Sequence, residues 1–227
     1  MAMNSQHETY WQSADEDAEM QDEHAFIWQA MLDTIDVDLA GRRVLDAGCN
    51  QGGFLRLLVA RCGIAAGYGY DPAAGAIADA RSLTGELPLS FEAADAVPAG
   101  WDGFEVAFSH EVLYLLHDLG AHAASMFAAL APGAPYFAVM GVHAGSRMMT
   151  EWHASAADEL SLPKLYDLDE VAETFAGAGF AVSVAALELR FVPVSGGHGG
   201  HEHQRDLAGW LDYYRRDKVM FRFTRPT

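Results

Sequence analysis

The chain has 227 residues, enough to bury the core of one α/β domain. Its composition, 51% hydrophobic and 20% charged, is typical of a globular protein and excludes a disordered one. The formal net charge of −18 disfavours nucleic acid and anionic membrane surfaces as partners, because an acidic surface repels phosphate groups and only 14 Lys and Arg are available.

The cysteines and the N-terminus indicate the cellular setting. Cys49 and Cys62 have neither metal-ligand nor redox spacing, so we expect free thiols in a reducing compartment. The opening residues lack the basic start and apolar run of a signal peptide. No stretch of the sequence is long and apolar enough to span a membrane. We therefore expect a cytoplasmic protein, and the sequence leaves its oligomeric state open.

The first 40 residues are strongly acidic and contain one amphipathic stretch. Ile27, Met31 and Ile35 recur at spacings of four, which predicts a helix over 23–35. The residues before it, which include Tyr10 and Trp11, are expected to be irregular. We interpret 1–40 as a helical cap or lid on a single domain at 41–227, with a solvated acidic tail as the alternative.

From residue 43 onward, short apolar runs alternate with helical patterns. The pattern predicts strands at 43–48, 65–71, 89–95, 104–109 and 134–142, and helices at 52–63, 72–82, 119–133 and 167–180. Pro72 suits a helix start, Gly63 a helix stop and Asp167 an N-cap. Alternation of this kind is typical of a mostly parallel sheet with helices on both faces.

The C-terminal part breaks this alternation. Strand-like runs at 181–194 and 218–226 follow each other, separated by a Gly/His-rich stretch and a helical pattern at 206–217. The simplest arrangement is an antiparallel pair at the edge of the sheet. The segments 144–166 and 195–215 are then inserts, and we expect them near the substrate side.

The stretch "VLDAGCNQGG" is the strongest indication of a ligand site. It runs from a strand into a glycine-rich turn that opens a helix, the context in which such turns bind nucleotides. Asn50 stands where a third glycine is expected, and Asn is the residue that best tolerates the left-handed conformation. Asp71 ends the next strand, where a carboxylate can accept both hydroxyls of a ribose or cap the following helix.

These features, in this order, resemble the class I S-adenosylmethionine-dependent methyltransferases. "VLDAGCNQGG" resembles the family's first motif, with Gly48, Asn50 and Gly52 in its glycine places. "GYGYDP" resembles the acidic second motif, and "FEAADAVP" resembles the segment that approaches the adenine. "FEVAFSHEVLYLLHD" resembles the fourth strand and the residues after it. The resemblance implies a Rossmann-like, doubly wound α/β fold of seven strands, mostly parallel with an antiparallel C-terminal strand.

The resemblance also implies roles for individual residues. The turn at Gly48 would hold the methionine end of S-adenosylmethionine, Asp71 the ribose and Asp95 the adenine. Asp46 would support the turn and, through water, the methionine amine. The main chain near Ser109 would close over the reactive end. The cofactor-binding residues predicted in this way are Asp46, Gly48, Asn50, Gly52, Asp71, Asp95, Ala96 and Ser109.

Acceptor-side residues are assigned by their position after the strands. Methyl transfer needs a base only if the nucleophile must lose a proton, and the predicted catalytic residues are His110, Glu111 and His143. Each has an alternative reading as an inert, hydrogen-bonded polar residue at a strand end. The predicted substrate-binding residues are Tyr10, Trp11, Trp152 and His153. The cluster of His198, His201 and His203 lies in a glycine-rich stretch, which favours a solvated loop, and no metal is expected.

The sequence thus predicts an S-adenosylmethionine-dependent methyltransferase that acts on a small molecule. Two alternatives remain open: an NAD(P)-dependent oxidoreductase that uses the same turn and acid, and a non-catalytic nucleotide- or metal-binding module. The acceptor atom, whether O, N, S or C, is not specified by the sequence.

Overall fold

The computed structural model describes residues 14–189, 191 and 207–227, with side chains described from residue 24 onward except at 158–160. In this part of the chain, one sheet of seven strands is flanked by helices on both faces. The strands are β1 (Arg43–Ala47), β2 (Ala66–Asp71), β3 (Leu89–Ala93), β4 (Val106–His110), β5 (Pro135–Met140), β6 (Ala181–Ala186) and β7 (Val219–Thr224).

The helices alternate with the strands over most of the chain. They are α1 (Ala14–Thr34), α2 (Gly53–Cys62), α3 (Ala74–Ser82), α4 (Leu119–Ala129), α5 (Arg147–Leu160), α6 (Leu168–Gly177) and α7 (Leu207–Asp212). A short 3-10 turn (Leu113–Leu115) follows β4, and a π-helical turn (Tyr213–Asp217) joins α7 to β7. None of the described helices is long and apolar enough to cross a membrane.

The strand order is β3-β2-β1-β4-β5-β7-β6. Strands β1 to β5 pair in parallel, whereas β7 lies between β5 and β6 and pairs antiparallel with both. This confirms the predicted sheet and the antiparallel C-terminal strand. Successive strands run outward from β1 in one direction and from β4 in the other, so the order reverses between them. Ligands of open α/β sheets bind at this switch point, beyond the carboxyl ends of the strands.

Apolar side chains on the two faces of the sheet form two cores. On one face, Ile27 and Met31 of α1 pack with Leu55 and Leu58 of α2. On the other face, α4 and α6 cover the sheet, and the ring of Phe175 stacks on Phe223 with centroids 3.7 Å apart. Every residue of β5 is buried, as expected of a strand covered on both faces. The carboxyl ends of the strands are therefore held on a rigid frame.

Local signals fixed several helix ends as predicted. Gly63 closes α2 in the left-handed conformation (φ 63°), and its N–H donates to the carbonyl of Val59. The Asp167 side chain caps α6 by accepting the N–H of Glu170 at 2.7 Å.

Several boundaries differ from the predictions. Helix α1 begins at Ala14, so the residues from 14 to 22 are helical rather than irregular. Helix α3 begins at Ala74 rather than at Pro72, because the Asp71 carboxylate accepts the N–H of Ala73 at 2.9 Å and holds the chain in a turn. The strand predicted from residue 181 ends at Ala186. Within the predicted insert at 144–166, the chain forms α5.

Candidate functional site

The turn after β1 is tied to the end of β2 by main-chain hydrogen bonds. The N–H groups of Gly48 and Cys49 both donate to the carbonyl of Tyr70, at 2.9 and 3.1 Å. The N–H of Gly52 donates to the carbonyl of Cys49 at 2.8 Å, which closes the turn before α2 begins. The Cys49 side chain is buried beneath the turn. The turn therefore has a fixed shape relative to both strands.

Three alternate residues of this turn are left-handed. The φ angles are 72° at Gly48, 47° at Asn50 and 73° at Gly52. Asn50 thus takes a conformation in which glycine is usual, as its position predicted. Its Oδ1 atom accepts the main-chain N–H of Gln51, which is the local hydrogen bond that lets Asn adopt this region. The departure from the glycine pattern leaves the shape of the turn intact.

Side chains of the protein itself explain the glycines at both ends of the turn. A Cβ atom at Gly48 would lie 2.4 Å from the Val112 side chain, and one at Gly52 would lie 2.3 Å from the Phe91 ring. The sequence suggested that these glycines let a ligand approach the main chain. In the structure, the space that a Cβ atom would occupy at each glycine is already filled by a side chain of the protein, Val112 at Gly48 and Phe91 at Gly52.

Asp71 joins the turn to the helix that follows β2. Its Oδ2 atom accepts the N–H of Asn50 at 3.0 Å, and its Oδ1 atom accepts the N–H of Ala73 at 2.9 Å. The side chain is buried, with 6% of its surface exposed. The carboxylate is therefore oriented by main-chain donors on both sides, and it occupies the position predicted for a ribose-binding acid.

A second buried carboxyl group lies next to it. Asp46, near the end of β1, is 4% exposed. Burial, and then the negative charge of Asp71, raise the pKa of Asp46 well above its ordinary value. Two carboxyl groups in one buried site favour the arrival of a cationic group, because a positive charge offsets their repulsion.

Asp95 and Ala96 follow β3 at the same edge of the sheet. Both residues are exposed. The N–H of Ala94 donates to the carbonyl of Asp71 at 3.0 Å, so this loop is anchored beside the β2 acid. Asp71 and the loop of Asp95 therefore lie next to each other, and their roles towards a ribose and an adenine stay predictions.

Ser109 points away from this edge. Its hydroxyl lies 2.7 Å from the Tyr136 hydroxyl, which in turn lies 3.0 Å from Nε2 of His122. All three side chains are buried on the α4/α6 face of the sheet. Burial lowers the pKa of His122 to about 4 and raises the pKa of Tyr136 beyond its ordinary range, so both groups are neutral. The Ser109 side chain is thus used inside the protein, and the role of its main chain beside the cofactor stays a prediction.

His110 and Glu111 follow directly and lie among charged and aromatic groups. The His110 ring meets the His24 ring of α1 edge to face, with centroids 4.8 Å apart. The Nε2 atom of His110 is buried and has no hydrogen-bond partner among the described residues. Glu111 has a left-handed backbone (φ 58°), and its Oε1 atom lies 2.6 Å from the ammonium of Lys218. The structure brings these two predicted catalytic residues to the switch point.

His143 is buried and fully hydrogen-bonded. Its Nδ1 atom accepts the N–H of Gly145 at 3.2 Å, so Nε2 carries the ring proton, and this atom lies 2.8 Å from the carbonyl of Asp217. The Ser146 hydroxyl donates to the Asp217 carboxylate at 2.6 Å. These bonds connect the segment after β5 to the π-helical turn. Both ring nitrogens of His143 are used in them, so the ring holds the two segments together.

Helix α5 carries the two described residues predicted to bind substrate. Trp152 packs edge to face on Tyr114, with ring centroids 6.2 Å apart. Nε2 of His153 lies 2.5 Å from the carbonyl of Pro163, which ties the helix to the loop after it. Tyr10 and Trp11 lie outside the described residues.

The histidine cluster at His198, His201 and His203 also lies outside the described residues. Within the ranges that the structure does describe, no group of three or more His, Cys, Asp or Glu side chains is arranged to hold a metal ion.

Sequence reasoning missed three residues of this region. His24 was interpreted only as part of a helix and Lys218 only as the start of a strand, and Val112 was given no role. Their roles arise from contacts with residues far away in the chain. The one local signal was that Lys218 is a charged residue directly before the apolar residues 219–221.

Comparisons with known proteins agree with this geometry. Residues 12–183 match the family model described as a methyltransferase domain. No match was found among curated proteins. The fold is similar to that in a complex of the Haloferax volcanii Trm112 methyltransferase activator with a methyltransferase, at 20% identity and a TM-score of 0.81, covering 94% of this chain and 95% of that one.

Two further solved structures share the fold. One is an S-adenosylmethionine-dependent methyltransferase from Mesorhizobium loti, at 17% identity and a TM-score of 0.65, covering 88% of this chain and 97% of that one. The other is geranyl diphosphate C-methyltransferase from Streptomyces coelicolor, at 16% identity and a TM-score of 0.68, covering 98% of this chain and 89% of that one. The family match favours a methyltransferase over an oxidoreductase or a non-catalytic module. The chain belongs to the methyltransferase domain family and is an enzyme with the fold of class I S-adenosylmethionine-dependent methyltransferases.

Proposed function

We propose that this enzyme transfers a methyl group from S-adenosylmethionine to a small-molecule acceptor at the carboxyl ends of β1 and β4. The observation that carries the proposal is the position of Asp71, which ends β2 and is hydrogen-bonded to the left-handed turn at Asn50. A carboxylate fixed in this way is oriented to accept the hydroxyls of a ribose.

The residues present fit this cofactor. The buried carboxyl pair of Asp46 and Asp71 favours a positive charge nearby, and the cofactor carries an ammonium and a sulfonium group. Asp95 and Ala96 are exposed next to Asp71, where an adenine edge would lie. Gly48, Asn50 and Gly52 would present the turn to the methionine end, and the main chain at Ser109 would close the reactive end. When bound, the cofactor supplies an electrophilic methyl group on a sulfonium.

The protein's own contribution is orientation, exclusion of water and removal of a proton. Fixed geometry of two reactants is worth several orders of magnitude in rate. His110 has a buried Nε2 atom at the switch point, and we assign to it the proton of the acceptor. Glu111 and His143 are assigned to positioning, because the first is paired with Lys218 and the second is held by main-chain groups.

A small acceptor is supported by charge and by one neighbour. The net charge of −18 opposes binding of nucleic acid and of anionic membranes. The Streptomyces coelicolor structure contains geranyl diphosphate together with S-adenosylhomocysteine. We further propose that the walls of the acceptor site are α1 and residues 144–166, with Trp152 and His153 on α5, and that Tyr10, Trp11 and the segment 195–215 contribute to it. Cytoplasmic location is part of the same proposal.

Thermal unfolding in the presence of candidate ligands tests the cofactor, because a ligand of the native state raises the melting temperature. We expect S-adenosylhomocysteine at 1 mM to raise the melting temperature, and NAD and Zn²⁺ at the same concentration to leave it unchanged. Stabilisation by NAD with none by S-adenosylhomocysteine would overturn the proposal. Radiolabel transfer from methyl-labelled S-adenosylmethionine then separates acceptors: we expect label in the small-molecule fraction of a cell extract and none in added tRNA.

A further inference from the structure

Lys218 is a buried cation at the edge of the candidate site. It immediately precedes β7 and is 2% exposed. Its Nζ atom lies 2.6 Å from Oε1 of Glu111, and 5.2 and 5.5 Å from the ring centroids of Tyr213 and Tyr214. Burial of an ammonium is unfavourable unless it is paired, and here a carboxylate and two aromatic faces offset the loss of hydration. An ion pair held this far from water has a defined geometry.

Glu111 uses both carboxylate oxygens and has an unusual backbone. Besides the contact with Lys218, its Oε2 atom accepts the N–H of Gly141 at 3.3 Å. Its own N–H donates to the carbonyl of Val139 at 2.8 Å. The left-handed φ of 58° is uncommon for a residue other than glycine and persists only where the surroundings enforce it. Glu111 therefore joins the ends of β4, β5 and β7 in one conformation.

His110 directly precedes Glu111 in the chain. Its ring faces His24 of α1, and its Nε2 atom is buried without a hydrogen bond to any described residue. A buried polar atom without a hydrogen-bond partner is unfavourable, and we interpret it as a group that a bound ligand would satisfy. Burial, then His24, then Lys218 lower the pKa of His110, so the imidazole is neutral before the reaction. The same causes make it a weak base, which suits uptake of a proton only while the methyl group bonds to the acceptor.

We propose that Lys218 is a positioning residue for methyl transfer, which through its ion pair with Glu111 fixes the backbone at the end of β4 and so aims His110 at the acceptor. The inference rests on the proposed function, in which His110 receives the acceptor's proton. The acceptor's X–H bond breaks and the proton goes to Nε2 of His110. The freed electron pair forms the new bond to the methyl carbon, and the electrons of the broken C–S bond remain on sulfur, so one positive charge moves from sulfur to the imidazole.

The test uses a double variant, because Lys218→Met alone leaves a buried carboxylate unpaired and threatens folding. In Lys218→Met/Glu111→Gln both charges are removed together, and the Gln amide oxygen can still accept the N–H of Gly141. The matched control is Arg222→Met/Asp36→Asn, which removes an ion pair of 2.9 Å between β7 and the segment before β1, with both side chains partly or largely exposed.

Three readouts are compared with the unaltered protein. S-adenosylhomocysteine binding by calorimetry reports the cofactor site and is expected to stay within about twofold in both double variants, because the hydrogen bonds and ion pairs of the substituted side chains go to other parts of the protein than the Gly48–Gly52 turn. Nitrogen-15 spectra of the histidine rings report His110 directly, and its signals are expected to move in the Lys218/Glu111 variant only. Methyl transfer into the small-molecule fraction of a cell extract is expected to fall about 10- to 100-fold in that variant, since misplacement by about 1 Å has effects of this size.

The outcomes separate the two proposals. A Lys218/Glu111 variant that is folded and transfers methyl groups at the rate of the unaltered protein, with unmoved His110 signals, overturns the role of Lys218. An unaltered protein that fails to bind S-adenosylhomocysteine overturns the proposed function instead, whatever the variants do. Retained transfer in His110→Gln would show that His110 does not take the proton, and would remove the basis for the role of Lys218.

Discussion

The carboxylate of Asp71 accepts the main-chain N–H of Asn50 across 3.0 Å, from the end of one strand to the turn that follows its neighbour. This hydrogen bond connects the two features that a nucleoside-containing cofactor needs, a turn that exposes main chain and an acid for the ribose. It also means that the acid orients the turn before any ligand arrives. Four consequences for variants and pH follow from the surrounding contacts.

Asp71→Asn is expected to weaken binding of S-adenosylhomocysteine about 10- to 100-fold, because hydrogen bonds to a charged acceptor contribute roughly 1.5–3 kcal/mol. In the wild-type protein the two oxygens of Asp71 accept the N–H groups of Asn50 and Ala73. The amide of Asn has only one oxygen, so one of these N–H groups would face an NH₂ group, and the melting temperature should fall as well. Titration calorimetry measures the affinity. Asp169→Asn, an exposed acid in the first turn of α6, is the control and should bind as the unaltered protein does.

The conformation of Asn50 can be tested with two substitutions, one expected to be nearly neutral and one destabilising. Its φ of 47° is open to glycine, so Asn50→Gly should change the free energy of unfolding by less than about 1 kcal/mol. Asn50→Val should lower it by about 2 kcal/mol or more, because a β-branched residue is strained in the left-handed region. Urea unfolding curves give both values. Equal stability of the two variants would mean that the turn does not hold this conformation.

Gly52→Ala is expected to destabilise the fold by at least about 2 kcal/mol, from left-handed strain and from overpacking against the Phe91 ring. Gly75→Ala provides the contrast within α3, where a Cβ atom has no neighbour within 4 Å. There the helix propensity of Ala should raise stability by about 0.5–1 kcal/mol. A Gly52→Ala protein as stable as Gly75→Ala would contradict the packing of Phe91 on the turn.

The buried His122 predicts a pH dependence of stability. Its pKa is about 4 in the folded protein, against 6.5 for an ordinary histidine, so the native state binds fewer protons than the unfolded state. The stabilising effect is complete above pH 6.5 and is lost as the pH falls towards 4. His122→Gln should reduce the loss of unfolding free energy between pH 7 and pH 5 by about 2 kcal/mol.

Exposed His117, five residues earlier, is the control for that measurement, and His117→Gln should leave the pH dependence unchanged. Denaturant titrations at the two pH values supply the free energies. If the unfolding free energy of His122→Gln still falls steeply between pH 7 and pH 5, other groups cause the pH dependence. One candidate is His24, since burial and Lys218 lower its pKa to about 3.

Local chemistry made much of the fold predictable. Asn50, Gly63 and Asp167 each have a conformational or capping preference that acts within a few residues, and the structure confirms all three. The alternation of strands and helices likewise predicted the sheet, because the spacing of apolar residues along the chain indicates which residues are buried in each element. The start of α1 at Ala14 was missed, since an acidic stretch without apolar periodicity gives no helical signal of its own.

The contacts that shape the site were not predictable in the same way. The Lys218–Glu111 pair joins residues 107 positions apart, and the Phe91 ring fills the space beside Gly52 from a different strand. Such contacts depend on strand order and on the tilt of side chains, which periodicity does not contain. For the same reason, the sequence placed His143 among the catalytic candidates without showing that both of its ring nitrogens are held by main-chain groups.

The proposed cofactor site is best tested by a crystal structure of the complex with S-adenosylhomocysteine. We expect the ribose hydroxyls on Asp71, the adenine beside Asp95 and Ala96, and the homocysteine end against the turn from Gly48 to Gly52, with sulfur directed towards His110. Electron density for the ligand at another edge of the sheet, or with the adenine on the turn and the amino acid at Asp95, would contradict it.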